Sequence, residues 1–191
     1  MPRSENASRK IHLKAKQRSN KVLGMEHARH KEWLKMKSYV NKITNFIKKN
    51  NIRLERLVYD GEVSNSALSA AHVGCPISQI VKTVLFKDET SRVFAVILRG
   101  SEKVDRQKIK RMFSIKNLDI LSGDEVLQFS GYPPGGVPPF GYKAIFLMNN
   151  GFKREETVYA GGGTTRSLIR IEAGEIEHVA KPHIMDVSMT P

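Results

Sequence analysis

The sequence predicts an α+β domain: a mixed, largely antiparallel sheet with helices around it. Three observations lead there. Short β-rich runs recur between residues 52 and 187 and alternate with short capped helical segments. A twelve-residue loop, GYPPGGVPPFGY over 131–142, holds four prolines and four glycines and interrupts both patterns. Hydrophobic residues make up 40% of the chain, enough for a core, yet no stretch reaches the roughly 18 uncharged apolar residues of a membrane span.

Residues 1–24 are polar, basic and aperiodic, and are expected to form a disordered or weakly helical arm. Residues 25–50 then read as a basic amphipathic helix packed on the body. Trp33, Met36, Val40, Ile43 and Ile47 form one apolar stripe at spacings of three and four, while Lys31, Lys35, Lys37, Lys42, Lys48 and Lys49 leave the other faces basic. Asn50-Asn51 ends the helix. Residues 51–191 form the body. Ile52–Tyr59 suits a strand, and a short helix capped at Ser64, Asn65 or Ser66 is closed by Gly74. Ile80–Phe86 and Val93–Leu98 read as a hairpin or neighbouring strands. Asp105 caps a helix through Met112, Leu118–Leu121 is a brief strand, and Ser122 opens a helix through Phe129. Strands near Ala144–Met148, Glu156–Tyr159 and Ser167–Ile171, a helix over Ala173–Ala180 and a strand near Ile184–Val187 complete the order.

Charge divides the chain more sharply than hydropathy does. Residues 1–57 hold 16 Lys/Arg against 4 Asp/Glu, a net +12, whereas residues 58–191 hold 16 against 15, a net +1. A basic segment of that kind neutralises phosphates and releases counterions, so a polyanion is its natural partner. A solubilising tail is the alternative, and an anionic membrane surface a weaker third. Cys75 is the single cysteine, which excludes an intrachain disulfide and fits a reducing cytosol. With no apolar run behind the first basic residues, a secretory signal is not expected, and a cytoplasmic protein without a membrane partner is.

Three segments carry the candidate chemistry. In 131–142, prolines stiffen the loop while glycines leave amide N–H groups unobstructed, which suits either a polar ligand or a rigid connector. Gly161-Gly162-Gly163 follows a strand but matches neither GxxxxGK[ST] nor GxGxxG, so it reads as a turn or a close approach. Lys82 stands alone in the apolar run IVKTVLF, as an outward-facing lysine or one that faces a pocket. Metal ligation is not expected. His27 and His30 are three apart, as are His72 and Cys75, and no HxxxH or CxxxH pair occurs.

Taken in order, Ala70-Ala71, Gly74, Ile80-Val81-Lys82-Thr83, Gly100-Ser101 and Lys103-Val104-Asp105 resemble one family. So do Gly131-Tyr132, Gly135-Gly136-Val137, Pro139-Phe140-Gly141 and Val158-Tyr159-Ala160-Gly161. It is the YbaK-type family, which includes free-standing deacylases and the editing domain inserted in bacterial prolyl-tRNA synthetases. The resemblance spans residues 60–187 and departs at Pro138 and at Gly162-Gly163-Thr164. It implies the YbaK/prolyl-tRNA synthetase-associated fold and hydrolysis of the ester of a mischarged tRNA, such as tRNA-Pro carrying Cys or Ala, without cofactor or metal. Lys82 would then orient the terminal adenosine or its phosphate, and the Gly135 and Gly136 amides would hold the ester carbonyl. Ser101, Tyr132, Val137, Pro139, Phe140, Gly161 and Gly162 would form the substrate pocket. Outside the resemblance, the charge division makes Lys31, Lys35, Lys42, Lys48 and Lys49 of the basic helix the residues expected to hold the tRNA. A synthetase is a further implied partner. A non-catalytic RNA-binding relative and a regulatory partner of a synthetase are the alternatives.

Overall fold

The computed structural model describes the backbone from residue 4 to residue 189 and the side-chain surroundings from residue 25 to residue 189. It divides into two compact units, Met1–Ser38 and Tyr39–Pro191. The first is helical: α1 runs from Ser4 to Lys49 without a break, so the boundary expected near Glu26 is absent. Residues 1–3 and the side chains of residues 4–24 lie outside the described residues, and with them most of the expected arm. Every residue from Met25 to Ser38 is exposed, Trp33 and Met36 at 49% and 42%. That corrects the docked stripe: Ile43 is fully buried and Ile47 packs on the core, whereas Trp33 and Met36 face water.

The second unit follows the expected order closely. β1 (Leu54–Val58) pairs antiparallel with β7 (Ser167–Glu172), which pairs antiparallel with β6 (Thr157–Gly161). The larger sheet is ordered β4-β2-β3-β5-β8. In it β2 (Val81–Asp88) and β3 (Val93–Arg99) form the antiparallel hairpin, with β4 (Leu118–Ile120) antiparallel on the free edge of β2. β5 (Ile145–Asn149) lies parallel to β3, and β8 (His183–Met185) parallel to β5. Four antiparallel ladders against two parallel ones make the sheets mixed and largely antiparallel, as the composition of the runs implied.

Helix ends follow their capping residues. Asn65 accepts from the Leu68 N–H at the start of α2 (Ser66–Val73), and Gly74 closes it at φ 74°. Asp105 caps α3 (Arg106–Phe113) through the Gln107 and Lys108 N–H groups. Ser122 and Glu125 form a reciprocal capping box at α4 (Gly123–Ser130), and α5 spans Ala173–Ala180.

β3 reads VFAVIL because it is buried on both faces. One face contributes Ala95 and Ile97 to the main core, with Val81, Leu85, Val158, Ile169, Ile176 and Ile43. The other face contributes Phe94, Val96 and Leu98 to a second cluster beneath Ile109 of α3. The main core thus lies between the two sheets, and its edge at β2 and β6 is where the site forms.

Candidate functional site

Ile80, just ahead of β2, makes a parallel bridge to Tyr159 of β6 and joins the two sheets. A half-open cavity of about 260 Å³ lies at this seam. Val81, Lys82 and Thr83 border it from the larger sheet, Gly161 and Leu168 from the smaller. Gly135 and Val137 come from the glycine–proline loop, and Ser64, Asn65 and Ser66 from the start of α2.

Successive strand residues point to opposite faces, so Lys82 shares its side of β2 with Val84 and Phe86, and Thr83 with Val81 and Leu85. The Lys82 ammonium donates to the Gly100 carbonyl at 3.1 Å and to the Glu102 carbonyl, where the chain leaves β3. Partial burial lowers its pKa, opposed by nearby Glu102 and reinforced by Lys103. Two carbonyls therefore fix a half-buried cation at the rim. Thr83 Oγ1 is sealed from solvent and, with Tyr132 Oη, is one of two buried side-chain atoms without a hydrogen-bond partner among the described residues. A buried hydroxyl in that state costs about 1–3 kcal/mol of desolvation unless something pairs with it.

The start of α2 adds donors. Its Leu68 N–H is capped by Asn65 and its Ser69 N–H reaches the Asn65 carbonyl. Helix geometry leaves the Ser66 and Ala67 N–H groups without an intrahelical partner. The loop presses against this turn: a Cβ on Gly135, where φ is +80°, would lie 2.5 Å from the Ser64 carbonyl oxygen. Gly161 meets the same loop from the other side, its absent Cβ falling 2.3 Å from the Val137 carbonyl oxygen. Both glycine-rich segments are close-approach devices, and the two touch, the Gly163 N–H donating to the Gly136 carbonyl at 2.8 Å.

Of the residues expected here, Lys82, Gly135, Val137 and Gly161 meet at the cavity. Others stand apart. The Gly136 N–H, expected to hold a carbonyl, already donates to the Pro133 carbonyl at 2.9 Å and closes a turn. Tyr132 and Phe140, expected in the substrate pocket, are core residues at 0% and 1% exposure. Burial pushes the Tyr132 phenol up to about 12. Pro139 is buried beside them, and Ser101 is exposed on the turn after β3. Gly162 is also buried, its carbonyl accepting from Ser167 Oγ and Arg56 Nε. The helix lysines expected to hold the tRNA, Lys31, Lys35, Lys42, Lys48 and Lys49, are all exposed. Lys42 is tied down, donating to the Ser130 carbonyl with its Nζ 4.7 Å from the Tyr132 ring centroid.

Sequence reasoning gave Thr83 no part in the site and offered Ser64 and Ser66 only as helix caps. The signal for Thr83 was present, a hydroxyl in the apolar run IVKT, but its isolation depends on tertiary packing. No Asp, Glu, His or Cys borders the cavity. Among the described residues no group of three or more such side chains is placed to hold a metal ion, and no helix is long and apolar enough to cross a membrane.

The class of protein follows from the chain's relatives. The profile of the aminoacyl-tRNA editing domain family matches residues 60–178, and the chain belongs to that family. YwhH of Bacillus subtilis strain 168, an uncharacterised protein, is 30% identical over 126 residues, covering 64% of this chain and 80% of YwhH. Proline–tRNA ligase of Staphylococcus aureus strain Newman is 29% identical over 86 residues; the match covers 45% of this chain but only 15% of the ligase. Among solved structures, the hypothetical protein APE2540 superposes with a TM-score of 0.72 at 27% identity, covering 78% of this chain and 99% of that one. A candidate trans-editing enzyme for prolyl-tRNA synthetase superposes at 0.73 with 22% identity over 80% and 98%, a likeness of fold.

Proposed function

We propose that the protein is a trans-editing deacylase that hydrolyses the ester of a mischarged tRNA, with a small amino acid such as Cys or Ala on tRNA-Pro as its substrate. The observation that carries this reading is the seam cavity, bordered by Lys82, Thr83 and the N-terminus of α2, with no carboxylate or imidazole in its wall. At about 260 Å³ it is smaller than the roughly 300–1,000 Å³ of sites for drug-sized ligands, which suits the aminoacyl end of a larger substrate.

The chemistry fits what the wall lacks. Water attacks the ester carbonyl, its oxygen becomes an oxyanion, and the C–O bond to the ribose breaks as that oxygen takes a proton. The Ser66 and Ala67 amides at the positive end of α2 stabilise the developing oxyanion. Lys82 orients the terminal adenosine or its phosphate as a compact charge held by two carbonyls. Thr83 Oγ1, sealed beneath the wall, pairs with a polar atom of the aminoacyl group once the side chain turns outward on binding. With no carboxylate or imidazole in the wall, the proton from the attacking water passes to a substrate group, the neighbouring ribose hydroxyl or the amino acid itself. Positioning then supplies most of the rate. The exposed lysines Lys31, Lys35, Lys48 and Lys49 supply phosphate contacts.

A panel of mischarged tRNAs tests this directly. Release of Cys or Ala from tRNA-Pro, with Pro-tRNA-Pro spared and activity unchanged by exhaustive chelation, is expected. Binding without release from any member would leave a non-catalytic RNA-binding relative. A stable complex with a synthetase and no turnover alone would mark a regulatory partner.

A further inference from the structure

Trp33 is the chain's single tryptophan, and it stands 49% exposed on a helix segment where every residue from 25 to 38 is exposed. An indole in water on a charged helix is the reverse of what the stripe 33-36-40-43-47 implies for a core-facing residue. Its neighbours prepare it for another use. One turn back, the His30 ring lies nearly parallel to it, at 6.0 Å between centroids and 22° between planes. One turn on, the Lys37 ammonium sits 4.9 Å from the ring centroid. Arg29, a turn back on the same side, is exposed, and Lys31 and Lys35 are exposed on the other side of the helix. The whole of α1 carries 13 Lys/Arg against 3 Asp/Glu.

From this we infer that Trp33 is a stacking platform for an unpaired nucleobase of RNA. The partner is set by charge and shape together. A helix this basic attracts a polyanion at long range, and every base presents a π-face that an indole can cover without regard to sequence. The base takes the face that Lys37 now covers, extending the His30–Trp33 pair into a stack of three rings. Lys37, an exposed flexible side chain, moves from the ring to the adjoining phosphate. Only unpaired bases qualify, because the bases inside a duplex offer their faces to one another. The inference rests on the tRNA reading above and adds a contact which that reading does not contain.

As the sole tryptophan, Trp33 reports on its own occupancy. The full-length protein is titrated, at one low salt concentration, with an uncharged tRNA, a single-stranded oligoribonucleotide and a blunt RNA duplex of matched phosphate number. Binding is followed in parallel by the anisotropy of labelled RNA. Saturable quenching of the indole by tRNA and the single strand, with little from the duplex, is expected. Trp33→Ala should weaken single-strand binding by about tenfold at unchanged salt slope, since no charge is removed, and Trp33→Phe should recover part of that affinity. Unchanged melting of both variants shows that the fold is not the cause. RNA that binds without quenching, equal quenching by the duplex, or no RNA binding would each overturn the inference. So would a fluorescence shift with phosphatidylserine vesicles but not with RNA, which would make Trp33 a membrane anchor. Because the ligands carry no amino acid, a failed deacylation panel leaves this result standing, and tRNA that binds without quenching the indole leaves the deacylase reading intact.

Discussion

Residues 25–38 leave every side chain in water, whereas the unit from Tyr39 onward buries both faces of its larger sheet and seals Ile43 of the same helix completely. The charge follows the same division, with a net +12 over residues 1–57 and +1 over residues 58–191. Such a difference separates two physical tasks. Attraction of a polyanion works over a Debye length and needs exposed charge but no fixed geometry. Ester hydrolysis needs a few groups held to fractions of an ångström, which only a packed scaffold supplies. If the tasks are divided in this way, changes in the body should alter turnover with little effect on RNA affinity, and changes in the basic segment should do the opposite.

Lys82→Ala is the strongest test on the body's side. Removing a fixed charge at the reacting end should lower kcat/KM by about 10²–10³. Because the ammonium also ties β2 to the Gly100 and Glu102 carbonyls, a small drop in melting temperature should accompany it. Turnover within twofold of wild type would show Lys82 to be a tether alone. Gly135→Val comes next. A β-branched residue at φ +80° is strained by itself, about 1–2 kcal/mol, and its Cβ would meet the Ser64 backbone. A tenfold or greater fall in turnover, with a lower melting temperature, is the expected outcome. Normal turnover would make the loop a connector.

Thr83→Val separates stability from chemistry more cleanly than either. The hydroxyl has no partner, so replacing it by a methyl group removes a desolvated polar atom at nearly constant volume. The melting temperature should hold or rise slightly while kcat/KM falls several-fold. A rise in both would show that no substrate atom meets the hydroxyl.

What the sequence disclosed, it disclosed through local chemistry. Asn65 and Gly74 bound α2 because capping and a left-handed turn are properties of single residues, and Ser122 with Glu125 marks α4 for the same reason. The apolar runs at β2 and β3 were legible because their burial does not depend on which partner covers them. Periodicity along α1 was a weaker guide. It shows that a helix face exists, not that a surface meets it, and Trp33 and Met36 meet none of their own unit. The start of α1 at Ser4 escaped for a different reason. Its first turns are rich in Lys and Arg, which favour helix by propensity without an apolar pattern. In the loop 131–142, Tyr132 and Phe140 were expected as ligand contacts from the family resemblance alone. The stiff loop instead turns both rings into the core and leaves Gly135 and Val137 at the cavity.

The smallest effect on turnover is expected from the largest deletion. Removing residues 1–24 takes away seven Lys/Arg and one Glu but leaves Trp33, the buried Ile43 and the whole cavity in place. Each phosphate that is no longer neutralised should flatten the slope of log K against log salt by about 0.7–0.9, so affinity for tRNA should fall most at low salt and least near physiological salt. At saturating tRNA, kcat should be unchanged, because every group assigned to the chemistry lies beyond residue 63. A cut at residue 50 would be a poor substitute, since it would remove Ile43 and open the core that Phe46 and Ile47 help to cover. Anisotropy titrations at three salt concentrations, paired with single-turnover deacylation, separate the outcomes. Affinity and slope equal to those of the full chain would make residues 1–24 a solubilising tail. A fall in kcat at saturation would break the division of labour itself, because the basic segment would then be acting on the reacting end as well as on the phosphates.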